Sequence, residues 1–280
     1  MNNIAVLLTC HNRKEKTITC LTSLFEAILP VGFSLDVFLV DDGSTDGTAE
    51  AVSKNFPVVN IIQGDGNLFW NQGMRLAWEA AANHQAYDFY LWLNDDTLLD
   101  KNAIIELLAT YSVALKVDQS ESIITGACRK SETENEFSYG GRTEICPVIP
   151  NGELQACKYI NGNAVLVPKN IYNKIGIHSS DYTHGMGDFD YGLRALQAGF
   201  NCYTTKEYIA ICPPNEGIPA WCNPKTPLMK RLQLLYSPLG LNLKEYNTFR
   251  KKFWGWKWMI FAGKAYAKAL SPSIYQIISK

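Results

Sequence analysis

Three groups of acidic residues in this sequence are spaced so that they could do chemistry. Asp41-Asp42-Gly43-Ser44 follows the apolar run Val37-Phe38-Leu39-Val40, and Asn94-Asp95-Asp96-Thr97 follows the run from Phe89 to Leu93. Carboxylates at the ends of buried strands are hard oxygen donors, suited to Mg2+ or Mn2+ shared with phosphate oxygens. Both clusters also have an ordinary reading, since Asp-Gly-Ser is turn chemistry and Asn-Asp-Asp-Thr can cap the next helix. The third group is Asp188 with Asp190. Positions two apart on a helix do not share a face, and Asp190 lies four residues before Arg194, a spacing that stabilises its ionised form and weakens it as a base. Asp188 has no cation at that spacing and is the better general base.

The elements that must hold these residues can be read from the apolar patterning. Ile4 to Leu8, Val37 to Val40, Val58 to Ile62 and Phe89 to Leu93 read as short buried strands. Helix-like segments separate them: Glu15 to Ile28, one capped by Thr45-Asp46, and Asn71 to Asn83 with Met74, Ala77, Trp78 and Ala81 at helical spacing. Such alternation predicts an α/β fold with a central, mostly parallel sheet flanked by helices. The two acidic clusters then occupy equivalent places at the carboxyl ends of strands, where open α/β sheets bind ligands. A helix over Lys101 to Lys116 and a strand Ile123-Ile124-Thr125 follow. Between Arg129 and Lys158 the pattern loosens into hairpins or an insertion, before a strand at Ala164 to Val167 and a helix from Asp188 to Ala198.

The turn after the first strand, Thr9-Cys10-His11-Asn12-Arg13-Lys14, contains no glycine, and the first glycine of the chain is Gly32. A Rossmann dinucleotide turn and a Walker loop are thereby disfavoured, because both need glycines to bring backbone against phosphate. The ordered set Thr9-Cys10-His11-Asn12-Arg13, Val40-Asp41-Asp42-Gly43-Ser44-Thr45-Asp46-Gly47, Asn71-Gln72-Gly73, Asn94-Asp95-Asp96 and Gly187-Asp188-Phe189-Asp190 ahead of Arg194 resembles the family 2 glycosyltransferases of the Rossmann-like GT-A fold. The likeness runs from the first strand to about Phe200.

That resemblance implies inverting transfer of a sugar from a nucleotide-diphospho-sugar, UDP or dTDP, to a hydroxyl of a glycan or lipid-linked glycan in surface polysaccharide synthesis, with Mn2+ or Mg2+ as cofactor. It assigns Asp96 to the metal and Asp188 to the base. It assigns the donor to Thr9, Asn12, Arg13, Asp41, Asp42, Trp70, Asn71, Asn94 and Asp95, with Asp42 receiving a base N–H. Asn161, Gly162, His184 and Asp190 are assigned to the acceptor side, Asp190 also pairing with Arg194. Three positions depart from the family pattern: Asn94 replaces the first metal-motif acid, Gly187 the Glu before the base, and Trp70 an Arg. The processive Gln-x-x-Arg-Trp motif is absent, and Cys212 falls near the place of a late histidine ligand. For Trp70 and Phe69 a stacking surface and a core anchor both stay open, and Asn161-Gly162-Asn163 serves equally as a close approach to the sugar or a simple turn. A binding protein of this fold without turnover is the alternative from another class.

Composition bounds the rest. At 280 residues, 47% hydrophobic and 19% charged, the chain is a folded globular protein, and a formal net charge of -1 argues against nucleic acid as a partner. The charge is unevenly spread. From Lys225 to Lys280 there are 11 Lys or Arg against the single acid Glu245, net +10. We therefore divide the chain into a catalytic domain, 1–224, with a nucleotide-sugar half (1–128) and an acceptor half (129–224), and a helical basic, aromatic arm, 225–280. Arg250-Lys251-Lys252-Phe253-Trp254-Gly255-Trp256-Lys257-Trp258-Met259 mixes cations and tryptophans as an interfacial helix does, so peripheral contact with an anionic membrane stands beside simple packing on the domain. Eight cysteines without a Cys-x-x-Cys pair, no basic leader and no long apolar span lead us to expect a cytoplasmic protein, with the arm allowing the inner face of the cell membrane.

Overall fold

The structure, a computed structural model, describes residues 2–215 and 217–273. The first third of the chain alternates β1 (Asn2–Cys10), α1 (Lys14–Glu26), β2 (Phe33–Asp41), α2 (Thr48–Asn55), β3 (Val59–Gln63), α3 (Phe69–His84) and β4 (Phe89–Leu93). Then come β5 (Leu98–Leu99), α4 (Ala103–Asp118), β6 (Ser122–Arg129), β7 (Phe137–Tyr139), β8 (Gln155–Ala156), β9 (Ala164–Pro168), α5 (Lys169–Ile175), α6 (Gly187–Gln197) and β10 (Asn201–Ile211). The basic C-terminal region forms α7 (Leu228–Leu235), α8 (Leu243–Trp254) and α9 (Trp258–Leu270). Residues 274–280 of the expected arm lie outside the described residues.

The chain falls into two compact units. One comprises the residues up to Ser179 together with Asp188–Pro214; the other comprises Ser180–Gly187 and the chain from Asn215 on. The expected boundary at 224/225 thus lies ten residues late, and a stretch just ahead of α6 belongs with the C-terminal helices. The reason is local bonding: the Glu245 carboxylate of α8 accepts the Thr183 N–H at 2.8 Å and its hydroxyl at 2.5 Å, and Tyr182 packs edge-on to Phe249.

In the first unit the strand order is β3-β2-β1-β4-β9-β6-β10-β5. β3, β2, β1 and β4 run parallel, β9 lies antiparallel between β4 and β6, and β6 and β10 are again parallel. β1 alternates between the two faces: Ile4, Val6 and Leu8 pack with Leu21, Leu24 and Leu107, whereas Ala5 and Leu7 pack with Met74, Trp78 and Trp92. A strand buried on both faces reads as a continuous apolar run, which is why Ile4 to Leu8 shows no polar alternation. Since Cys10 pairs with Asp41 and Leu7 with Trp92, the carboxyl ends of β1, β2 and β4 finish along one edge of the sheet. In the second unit Leu235, Leu243, Ala265 and Ala269 form a separate small core.

Candidate active site

The β1 and β2 ends are knitted together by short polar bonds. Asn12, in left-handed conformation at φ 51°, donates its backbone N–H to the Ser44 hydroxyl oxygen at 2.9 Å, and its side-chain oxygen accepts the Thr45 N–H at 2.8 Å. Asp41 is buried and accepts the Ser44 N–H at 2.9 Å. Asp42, also buried, accepts three backbone N–H groups: Gly66 at 2.8 Å, Leu68 at 3.0 Å and Phe69 at 2.9 Å. These bonds hold Phe69 at φ 55°, a conformation bulky residues rarely adopt, at the start of α3. An ionised carboxylate has about four acceptor positions, so about one remains on Asp42. Thr9 faces the same helix, its hydroxyl so close to Gly73 that a Cβ there would lie 2.2 Å from Oγ1.

At the β4 end the acid pair is bridged. Arg13 Nη1 donates to Asp95 Oδ1 at 2.7 Å and Nη2 to Asp96 Oδ2 at 2.6 Å, and Lys16 Nζ lies 3.9 Å from Asp96 Oδ2. Asp95 is buried, and desolvation pushes its pKa up to about 7 against the opposing pull of Arg13. Behind Asp96 sits a polar cluster: Asn163 donates to the Thr97 hydroxyl at 3.1 Å and to Cys212 Sγ at 2.9 Å, and Cys212 Sγ is 4.0 Å from Asp96 Oδ1. Burial, with Asp96 nearby, pushes the Cys212 thiol up to about 11, so it is protonated at neutral pH.

A run of contacts leads from these acids to Asp188. Asn94 Oδ1 accepts the Trp70 indole N–H at 2.7 Å. The indole lies against Gly162, where a Cβ would come 2.3 Å from Cζ2. The Gly162 N–H in turn donates to Asp188 Oδ2 at 3.2 Å, and Asp188 Oδ1 accepts its neighbour Phe189 N–H at 2.8 Å. Burial raises the Asp188 pKa to about 6 in spite of those two bonds. Residues drawn from α3, the β4 end, the turn before β9 and the start of α6 thus form one contiguous run of contacts. The Trp70 side chain is half-buried between Asn94 and Gly162.

Other residues expected at a ligand are bonded within the fold or lie apart from this run of contacts. Asp190 is fully buried and bonded to Arg194 Nε at 2.7 Å, while Arg194 also donates to the carbonyls of Ile175 and Ile177. The pair staples α6 to the end of α5, and the Asp190 carboxylate is buried away from the surface. Asn71 is likewise fully buried, its amide donating to the Ser179 carbonyl at 2.8 Å, which ties α3 down. Asn161 closes a turn by accepting the Asn163 N–H at 3.3 Å. His184 is exposed and belongs to the second unit.

Residues 5–148, just over half of the chain, match the family model described as glycosyl transferase family 2. The chain belongs to that family. Among solved structures it is similar to the mannosyltransferase PcManGT from Pyrobaculum calidifontis in complex with GDP-Man and Mn2+, at 13% identity and a TM-score of 0.54, over 99% of this chain and 78% of that one. It is also similar to S. aureus TarS 1-349 in complex with UDP-GlcNAc, at 13% identity and a TM-score of 0.53, over 90% of this chain and 73% of that one. At these identities the likeness is one of fold. No curated protein matches the sequence.

In this family 2 glycosyltransferase the acid pair fits a divalent cation. Asp95 Oδ2 is buried without a hydrogen-bond partner among the described residues, a lone carboxylate oxygen that a cation would satisfy. No group of three or more His, Cys, Asp and Glu able to hold a metal occurs among the described residues, so the protein offers two carboxylates, and a small hard ion would complete its shell with diphosphate oxygens and water. Two features beside the acid pair of this glycosyltransferase, Lys16 and the bonding of Asn163 to Thr97 and Cys212, go beyond the residues expected from sequence. Lys16 was legible, standing three residues after Arg13 and hence on the same side of α1. The cluster was not, since its members are separated by 49 and 66 positions.

Proposed function

We propose that this family 2 glycosyltransferase moves a sugar with inversion from a nucleotide-diphospho-sugar, UDP or dTDP, to a hydroxyl of a glycan or lipid-linked glycan in surface polysaccharide synthesis, using Mn2+ or Mg2+. The observation that supports it is the unbroken run Asn94–Trp70–Gly162–Asp188, which joins the acid pair to a carboxylate of raised proton affinity. Asp188 takes the proton of the acceptor hydroxyl while that oxygen bonds to the anomeric carbon. The carbon–oxygen bond to the diphosphate breaks with its electrons leaving on the diphosphate, and attack opposite the departing group inverts the centre. A positioned base of this kind contributes roughly 10²- to 10⁴-fold.

Asp96 and Asp95 would hold the cation, which when bound neutralises charge on the leaving diphosphate. Arg13 uses two of its five N–H donors on those acids and keeps the rest for phosphate oxygens. Asp42, through its remaining acceptor position, receives the N–H of the base beside Thr9. Asn94 holds Trp70 where the indole borders the sugar, and Asn161-Gly162 lets backbone approach it closely. The eight cysteines are all free, which supports a reducing, cytoplasmic setting.

A thermal-shift screen of UDP-, dTDP- and GDP-sugars with and without Mn2+ tests the reading, because a ligand that binds only the native state raises its melting temperature. A UDP- or dTDP-sugar should shift it, and more so with Mn2+. No shift with any of the three would overturn the assignment.

A further inference from the structure

In the second unit one helix half-buries Trp258 and Phe261 but leaves several other large apolar residues exposed while it buries small ones. On α9 the small residues Ala262, Ala265 and Ala269 are buried, whereas Met259, Ile260 and Leu270 stand 55%, 49% and 52% exposed, with Tyr266 exposed on the same side. At 100° per residue, Met259, Ile260, Gly263, Tyr266, Ala267 and Leu270 fall on one continuous arc that begins beside the buried alanines and runs round to the far side of the helix. Trp256, in the turn just before the helix, is 67% exposed. A helix that answered only to its own core would bury the large residues and expose the small ones.

Charge borders this arc. Lys257 and Lys264 are exposed along one edge of it, and exposed Lys251 and Lys252 close α8. Lys251 and Lys252 are engaged over the rings of Trp258 and Phe253. From Tyr246 to Lys280 the sequence contains no Asp or Glu. An apolar arc with cations along one edge is complementary to a surface that is apolar beneath and anionic above. Nor is the helix a span: thirteen residues rise about 20 Å against a hydrocarbon core of about 30 Å, and no described helix is long and apolar enough to cross.

We propose that α9 and Trp256 form a membrane-docking surface that lies in the headgroup region of an anionic bilayer, Met259, Ile260 and Leu270 entering the acyl boundary and Lys257 and Lys264 meeting lipid phosphates. The inference goes beyond the transferase reading and does not depend on it, since its test needs neither donor nor turnover.

The test is sedimentation of the full chain with vesicles of phosphatidylcholine alone or mixed with phosphatidylglycerol, at low and high salt. The wild type should pellet with the mixed vesicles, stay in solution with the neutral ones, and lose binding as salt rises. Lys257→Gln with Lys264→Gln, and separately Met259→Glu with Ile260→Glu, should each lower partitioning by about tenfold or more. Both pairs are exposed, so the far-UV circular dichroism should be unchanged, and the wild-type comparison of two lipids stands even if a variant folds poorly. Wild type that stays in the supernatant with mixed vesicles at low salt, or that binds both lipids equally, overturns the proposal. So does light scattering that finds a dimer which Met259→Glu with Ile260→Glu converts to monomer, because the arc would then be covered by a second copy of this chain.

Discussion

A Cβ on Gly162 would come 2.3 Å from Cζ2 of Trp70, so the indole and the absence of a side chain at 162 define each other. Trp70 is held from its other end by Asn94, and Gly162 holds Asp188 through its N–H. The glycine therefore lies at the joint between the acid pair and Asp188. Its position is decided by packing, not by a special backbone angle.

Gly162→Ala should accordingly act on both stability and rate. Overpacking of a tight contact costs about 1–3 kcal/mol, and either the indole or the 161–163 turn must move. A lower melting temperature together with a slower transfer rate is the expected result. A variant with wild-type rate and stability would show that the contact is readily relaxed.

Asp188→Asn should keep donor affinity and lose roughly two to four orders of magnitude in transfer rate. The active form is the ionised carboxylate, whose pKa is raised to about 6. Rate should rise with pH up to about 6 and then level off, falling about tenfold per unit on the acid side. Transfer assays from pH 4.5 to 8 on both proteins check this, and the acid limb should vanish from the residual activity of the variant.

Asp96→Ala should abolish the Mn2+ dependence of nucleotide binding and leave the fold intact. Its side chain is 25% exposed, and Arg13 retains its bond to Asp95. Calorimetry with UDP or dTDP, with and without Mn2+, is the measurement. Affinities that still differ between the two conditions would remove Asp96 from the cation site.

Asp190→Asn is expected to be a stability variant. The carboxylate is fully buried against Arg194, and removing one partner of a buried pair leaves the other charge uncompensated at a cost of about 3 kcal/mol. For a chain of this size the melting temperature should fall by roughly 6–12 °C. The folded fraction should retain its transfer rate, in contrast to Asp188→Asn.

The sequence by itself determined the first four strands, the helices between them, and the two acidic clusters at strand ends. Those features are local: a strand buried on both faces must be apolar throughout, as Ile4 to Leu8 and Phe89 to Leu93 are, and the polar clusters follow directly on the strand ends. The i,i+4 pair of Asp190 and Arg194 was legible for the same reason, and with it the choice of Asp188 over Asp190 as the freer carboxylate. Only the tertiary structure decided that β9 enters the sheet antiparallel between β4 and β6, and that Ser180–Gly187 folds with α8. It alone brought Arg13 across to Asp95 and Asp96, 82 and 83 positions away, and showed that Asp42 gives most of its acceptor capacity to the backbone of 66–69. Nor could periodicity show which arc of α9 is buried, since apolar residues lie on both sides of it and alanine satisfies a close helix contact as well as a larger residue fills a loose one. Patterning reports which residues leave water; which partners they meet there depends on chain closure over long separations, and only the packed structure records it.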